Sequence, residues 1–204
     1  MDIRKEVLLP DGFYHIYNRG INSSEIFNSN ENYLYFLKKF NIYLSPICDV
    51  YAYCLMPNHF HFLIKIKEKV SLELFASQNL KSIERNEKGL HSGSNVFSKQ
   101  MGKFISCYTQ SYNKVNNRHG SLLESPFKRI KVDNEDYLKN LILYIHRNPS
   151  DEPKIFENHL YSSYLAITSN KKTTVLRDDV LRLFGSLENF IYTHQHPPKF
   201  DFAF

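Results

Sequence analysis

The sequence predicts an α+β fold in which strands and helices follow the order β-α-β-β-α-β, with additional helices toward the C-terminus. Two observations carry this prediction. Segments with the two-residue alternation of a strand are separated by segments with the 3.6-residue period of an amphipathic helix. In addition, two adjacent strand patterns, 48–55 and 59–67, flank Pro57–Asn58, which predicts a hairpin with a tight turn.

The periodicity of each remaining segment and the residues at its ends predict the other strands and helices. Ser71 is expected to cap the second helix, which includes Leu80, and the polar segment 84–94 is expected to be a mobile loop. Asp133 or Asn134 is expected to cap the fourth helix. Strands are predicted at 13–18, 48–55, 59–67 and 127–132, and helices at about 30–44, 72–80, 96–113, 135–148 and 178–193. This order is the ferredoxin-like arrangement, one antiparallel sheet with helices on one face.

Composition limits the classes of protein to consider. The chain has 204 residues, with 26 Lys and Arg against 21 Asp and Glu, a formal net charge of +5. It also has 14 Tyr and 16 Phe, and aromatic rings among basic side chains are typical of single-stranded nucleic acid sites. The three cysteines lack metal or redox spacing. With no signal peptide and no membrane-spanning run in the sequence, a cytoplasmic protein without a membrane partner is expected.

The strand at 59–67 carries the first candidate site. Alternation places His59 and His61 on the face opposite Phe60 and Phe62, so both imidazoles can reach one ion or one phosphate. The alternative is a pair of polar residues on a solvated sheet face. A second pair, His194–Gln195–His196, has the same spacing but precedes two prolines, and a polar tail is expected there.

A second candidate site lies on the predicted helix that ends at Pro149. Tyr144 and Asn148 are four residues apart and therefore share one helix face. If that helix crosses the histidine face, two imidazoles, an amide oxygen and a phenol converge. Such a donor set suits Mg²⁺ or Mn²⁺, and a phenol there makes sense as a nucleophile at phosphorus. The alternative is a core aromatic followed by a helix-end residue.

Three segments give the chain a family resemblance: Tyr14 to Gly20, Tyr53 to His61, and Tyr144 to Pro149. In order and spacing, across about residues 10–165, they resemble the REP-associated tyrosine transposases. That family belongs to the single-tyrosine HUH transposases, in which two histidines flank a hydrophobic residue. The resemblance implies a ferredoxin-like or RRM-like sheet.

The resemblance also implies roles for these residues. His59, His61 and Asn148 would bind the divalent metal, Mg²⁺ or Mn²⁺, and Tyr144 would attack a single-stranded DNA phosphate. The product is a 5′-phosphotyrosine link and a free 3′-OH, formed at hairpins of short palindromic repeats. Residues 1–150 would be the catalytic domain, with 151–204 a helical extension packed on it. The other helical tyrosines considered as nucleophile are Tyr108, Tyr112 and Tyr137.

Basic residues are expected to form a track for the DNA on a monomer or homodimer associated with the nucleoid. The predicted track consists of Arg19, Lys99, Lys103, Lys114, Arg118, Lys128, Arg129 and Lys131. Three other functions remain open. They are a catalytically inactive module that binds hairpin DNA or RNA, a replication initiator or relaxase, and a phosphodiesterase with paired H-x-[ST] motifs. The chain shows no such paired motif.

Overall fold

The computed structural model describes residues 6–79, 93–149 and 155–199. The strands are β1 (Phe13–Arg19), β2 (Cys48–Met56), β3 (His59–Ile66) and β4 (Lys128–Val132). The helices are α1 (Asn30–Tyr43), α2 (Lys69–Asn79), α3 (Gly93–Val115), α4 (Glu135–Arg147), α5 (Ser163–Thr168), α6 (Arg177–Phe184) and α7 (Leu187–Gln195). Short 3₁₀ turns occur at Ile21–Ser23 and Ile155–Asn158. No helix in the described ranges is both long and apolar enough to cross a lipid bilayer.

The strands form a four-stranded sheet in the order β2-β3-β1-β4, and every neighbouring pair is antiparallel. The chain therefore makes two crossovers, β1-α1-β2 and β3-α2-α3-β4, each passing over one intervening strand. This confirms the predicted ferredoxin-like topology. The hairpin turn at Pro57–Asn58 is also confirmed, because β2 pairs directly with β3 on either side of it.

One face of the sheet is covered by α1 and α3 through closely packed aromatic rings. The ring of Phe36 lies 5.2 Å from that of Phe60, and Phe40 lies 4.2 Å from Phe62, measured between ring centroids. Phe104 of α3 packs edge-on against Phe36 at 4.7 Å. The alternation of β3 predicted this apolar face correctly, and these aromatic side chains form the centre of the core.

Helix α4 covers the opposite face, where it packs on β2 and β3. Its residues Leu141, Ile142 and Ile145 are buried, and so is Leu63 on the histidine face of β3. Both faces of the central strands are therefore covered. A solvated polar face, the alternative considered for the histidine pair, is wrong for His61, which is 5% exposed.

The C-terminal helices attach to α4 through a buried chain of hydrogen bonds. His146 Nδ1 lies 2.8 Å from His194 Nε2, and His146 Nε2 lies 2.7 Å from Ser163 Oγ. His194 Nδ1 lies 2.7 Å from the carbonyl oxygen of Phe190. Because that carbonyl can only accept, His194 carries its proton on Nδ1, His146 donates from Nδ1, and the Ser163 hydroxyl donates to His146.

The expectation that His194 belongs to a polar tail is therefore wrong. The residue lies in α7, fully buried, one turn after the buried Phe190, while His196 is exposed. A continuous helix over 178–193 is also wrong. Gly185, with φ of 84°, ends α6, and Ser186 begins α7 by accepting a hydrogen bond from the amide of Asn189.

Two further boundaries differ from the prediction. Ser71 does not cap α2, because the helix begins at Lys69 and the amide of Leu72 already donates to the Glu68 carbonyl. Helix α3 begins at Gly93, so 93–94 are helical, whereas Leu80 and 84–92 lie outside the described residues. The capping of α4 is confirmed for Asn134, whose side chain accepts from the amide of Tyr137 at 2.8 Å.

We predict that the protein loses stability steeply below pH 6.5 because of its buried imidazoles. Burial lowers the pKa of His15 and of His194 to about 3, whereas an unfolded histidine titrates near 6.5. Between those values the unfolded chain binds protons that the native protein does not. Each group then lowers the free energy of unfolding by about 1.4 kcal/mol per pH unit. Urea titrations at pH 7, 6 and 5 measure this slope.

The matched variants for this measurement are His194→Gln and His196→Gln. The first removes one buried imidazole and should reduce the pH dependence of the free energy of unfolding by about 1.4 kcal/mol per pH unit. The second changes an exposed histidine and should leave it unchanged. An unfolding free energy that stays constant from pH 6.5 to 5 would contradict the prediction.

Candidate active site

Cross-strand pairing places basic and aromatic residues beside the two histidines of β3. Tyr17 of β1 pairs directly with His61, and Arg19 pairs with His59. Lys128 of β4 pairs with Tyr17 in turn. Directly paired residues point to the same face of a sheet, so these five side chains share the face that α4 crosses.

His59 contacts amide groups through both ring nitrogens. Its Nε2 lies 2.8 Å from Oδ1 of Asn148 at the end of α4, and its Nδ1 lies 2.6 Å from Oδ1 of Asn58 in the hairpin turn. Burial lowers the pKa of His59, which favours the neutral ring. A neutral imidazole has one N–H and can donate to only one of these oxygens. A lone pair on Nε2 facing the Asn148 oxygen is the arrangement of two ligands to a shared cation.

His61 is buried between β1 and α4. Its Nδ1 lies 2.8 Å from Nε2 of His15, which leaves Nε2 as its remaining ring nitrogen. The rings of His61 and His59 are 5.1 Å apart and perpendicular. Burial, together with the neighbouring His15 and His59, lowers the pKa of His61 well below its ordinary value. His61 is therefore a neutral ligand candidate at pH 7.

Tyr144 lies on α4 one turn before Asn148, and its ring meets that of His61 edge-on at 5.6 Å. The side chain is only half-buried, unlike the core aromatics, so a ligand can reach it. Burial raises the pKa of the phenol, while a hydrogen bond with the Asn148 side chain acts in the opposite direction. The sequence-predicted convergence of two imidazoles, an amide and a phenol is thus present within one chain.

The donor set fits a small divalent cation. Adjacent ligands of an octahedral ion, each about 2.1 Å from it, lie about 3 Å apart. The 2.8 Å between His59 Nε2 and Asn148 Oδ1 agrees with that spacing. Among the described residues, no group of three or more His, Cys, Asp or Glu is arranged to hold a metal. A metal site here therefore depends on the amide oxygen of Asn148 as well as on the two histidines.

Two competing tyrosines lie elsewhere. Tyr108 and Tyr112 of α3 are buried in the helical layer on the other side of the sheet, where their hydroxyls donate to the carbonyls of Ile26 and Glu25. Tyr137 is on α4, but seven residues before Tyr144, which is about 10 Å along the helix. Of these helical tyrosines, Tyr144 is the one with a ring contact to His61, while Tyr17 of β1 stacks on His61 from within the sheet.

Of the predicted DNA-binding residues, Arg19 and Lys128 lie at the candidate site. Glu124 links them, with 2.6 Å from Arg19 Nε to its Oε1 and 3.4 Å from Lys128 Nζ to its Oε2. The ammonium of Lys128 also lies 5.6 Å from the ring centre of Tyr17. These cations stand beside the histidine pair, and the Arg19 side chain is half-exposed.

The other basic residues lie away from the histidine face, so the eight do not form one continuous track. Arg129 and Lys131 alternate onto the opposite face of β4, where Arg129 donates to Ser98 of α3 and Lys131 pairs with Asp133. Arg118 is held by hydrogen bonds with the Asn113 side chain and the Ser121 carbonyl. Lys99, Lys103 and Lys114 lie on α3. DNA binding by each of these residues stays a prediction.

Sequence reasoning gave no role to His15, Asn58 or Glu124. The strand pattern of 13–18 placed His15 on the same face as Tyr17, which was the available signal. Its contact with His61, however, depends on the β1–β3 register, which pairs residues more than forty positions apart. Likewise, Glu124 reaches Arg19 only through the fold.

The fold and the geometry together define an antiparallel α+β domain whose central strand presents two histidines to a tyrosine on a covering helix. Comparison with solved structures finds the same fold in a REP-associated tyrosine transposase bound to a REP hairpin. The two chains are 11% identical with a TM-score of 0.54, over 88% of this chain and 93% of that chain. The resemblance seen in the sequence is thereby confirmed at the level of the fold. No protein-family model matches the chain, and a search of curated proteins found no match.

We predict that Tyr144→Phe leaves the fold and its stability nearly unchanged. The half-buried ring keeps its contact with His61, and the hydroxyl forms a hydrogen bond with a side chain that is itself partly exposed. The change in the free energy of unfolding should stay within about 1 kcal/mol. Chemical denaturation monitored by circular dichroism measures it, and a loss above about 3 kcal/mol would show that the hydroxyl has a structural role.

Proposed function

We propose that this protein is a metal-dependent DNA strand transferase of the HUH tyrosine type, acting on single-stranded DNA at hairpin repeats. The observation that carries the proposal is the meeting of Tyr144 with His59, His61 and Asn148 in one chain. The shared fold with a REP-associated tyrosine transposase bound to a REP hairpin supports the choice of substrate.

His59, His61 and Asn148 would hold Mg²⁺ or Mn²⁺. When bound, the ion would neutralise charge on the scissile phosphate and so favour attack by an oxygen nucleophile. The protein contributes orientation: Asn58 and His15 contact the Nδ1 atoms of His59 and His61, respectively. With the proton of each ring on Nδ1, Nε2 would be available as the ligand atom.

Tyr144 would attack phosphorus through its phenolic oxygen. A phosphorus–oxygen bond to the tyrosine forms as the bond to the 3′ oxygen breaks, the phenol gives up its proton, and the departing 3′ oxygen takes one up. At pH 7, forming a phenolate of ordinary pKa costs about 4 kcal/mol, and burial of Tyr144 adds to that cost. The 5′-phosphotyrosine conserves the ester bond, so attack by a 3′-OH rejoins DNA without ATP.

Arg19 and Lys128 would bind DNA phosphates next to the cleaved one. Both are on the histidine face, and Glu124 keeps them together. Because Arg19 and Lys128 lie on the histidine face of the sheet, the scissile phosphate would approach that face, next to Tyr144, and not the face covered by α1 and α3. A protein that acts on this substrate would associate with the nucleoid.

We predict that the protein forms a covalent adduct with hairpin oligonucleotides from its own genomic flanks in the presence of Mn²⁺. The adduct should survive denaturation and appear as a slower band in gel electrophoresis. Tyr144→Phe should abolish it, because the nucleophile is lost while the fold remains. Chelation of the ion and Asn148→Ala should each reduce it by at least tenfold.

The matched control is Tyr137→Phe, which removes a phenol from the same helix and should leave the adduct intact. An adduct formed by Tyr144→Phe would mean that another residue is the nucleophile. Hairpin binding without any adduct in the unmodified protein would favour the inactive DNA-binding module instead.

We predict that hairpin affinity falls with salt at a log–log slope of about −3 to −5, a range that brackets the value for five or six phosphate contacts at about 0.7 each. Replacing both Arg19 and Lys128 with alanine should reduce the magnitude of the slope by about 1.4. Fluorescence anisotropy from 50 to 200 mM salt measures it.

The control for this experiment replaces Lys171 and Lys172 with alanine. These substitutions remove the same net charge from an exposed loop outside the candidate site. Their double alanine variant should keep the slope of the unmodified protein. Equal slopes for both double variants would contradict the placement of the phosphates beside Arg19 and Lys128.

A further inference from the structure

His15 forms a buried hydrogen bond with a candidate metal ligand. It is fully buried on β1, and its Nε2 lies 2.8 Å from Nδ1 of His61. The two rings are nearly parallel, with 21° between their planes, and Tyr17 stacks on both of them. The contact joins adjacent strands of the sheet centre, so its geometry is fixed by backbone pairing.

The hydrogen bond can exist in two arrangements that differ in consequence. In one, His61 donates from Nδ1 to a lone pair on His15, and Nε2 of His61 keeps its own lone pair. In the other, His15 donates and His61 carries its proton on Nε2, which cannot then bind a cation. The 2.8 Å contact between the two ring nitrogens leaves room for one proton between them. The proton position therefore decides whether His61 can be a ligand.

We propose that His15 is a positioning residue that accepts the Nδ1–H of His61 and so holds Nε2 of His61 unprotonated and oriented for the divalent cation. The proposal rests on the function proposed above. The other candidate histidine ligand also has a hydrogen-bond partner at Nδ1, since Nδ1 of His59 lies 2.6 Å from Oδ1 of Asn58. Partners of this kind fix the tautomer and orientation of a metal-binding imidazole, and their loss weakens metal affinity by 10- to 100-fold.

Two substitutions separate the acceptor from the bulk of the side chain. His15→Gln places an amide oxygen at about the reach of Nε2 and preserves an acceptor for His61. His15→Leu fills similar space without one. The proposal predicts that the glutamine variant behaves like the unmodified protein and that the leucine variant does not.

The first measurement is the tautomer of His61 in metal-free protein, read from ¹⁵N chemical shifts of labelled histidine, with His61→Gln used to assign the signals. The Nδ1–H form should dominate in the unmodified protein and in His15→Gln, and the Nε2–H form should appear in His15→Leu. The signals of His146 and His194, which lie in a separate buried hydrogen-bond chain, serve as the internal control for folding. An Nε2–H tautomer in the unmodified protein would overturn the proposal without any variant.

The second measurement is Mn²⁺ affinity by isothermal titration calorimetry. His15→Leu should bind Mn²⁺ 10- to 100-fold more weakly, and His15→Gln within about threefold of the unmodified protein. Equal affinity in all three proteins would overturn the role of His15 and leave the proposed function standing. An unmodified protein that binds no Mn²⁺ would instead overturn the metal site itself, and with it the proposed function.

Discussion

The candidate site depends on the packing of α4 across the face of the sheet that carries His59 and His61. Burial of Leu141 and Ile145 fixes the helix there, and its exposed edge then carries Tyr144 and Asn148 to the two histidines. The buried hydrogen bond between His146 and His194 attaches the C-terminal helices to the same helix. Residues far from the site in sequence thus hold Tyr144 in position.

The three candidate ligands, His59, His61 and Asn148, are uncharged at pH 7. Two neutral imidazoles and an amide leave the full charge of a divalent cation available to a DNA phosphate. The same desolvation that keeps His61 neutral also raises the pKa of the Tyr144 phenol. Under the proposed function, this site would bind phosphate through the cation, Arg19 and Lys128, and Tyr144 would need that positive charge to become reactive.

The parts of the structure that follow from local pattern were predictable from sequence. Alternation along β3 gave the two faces, and the four-residue spacing of Tyr144 and Asn148 gave their shared face. The features that the sequence did not predict depend on contacts between distant segments. The partner of His61 follows from the register between β1 and β3, and the burial of His194 follows from a break at Gly185 that redirects α7 toward α4.

The central claim is that one DNA phosphate is shared by the histidine pair and the Tyr144 position. A crystal structure of Tyr144→Phe with Mn²⁺ and an uncleaved hairpin oligonucleotide tests it most directly, because anomalous scattering locates the ion. We expect the Mn²⁺ within about 2.3 Å of His59, His61 and Asn148, with the scissile phosphate between the ion and residue 144. An ion bound elsewhere, or DNA lying over α1 and α3, would contradict the account.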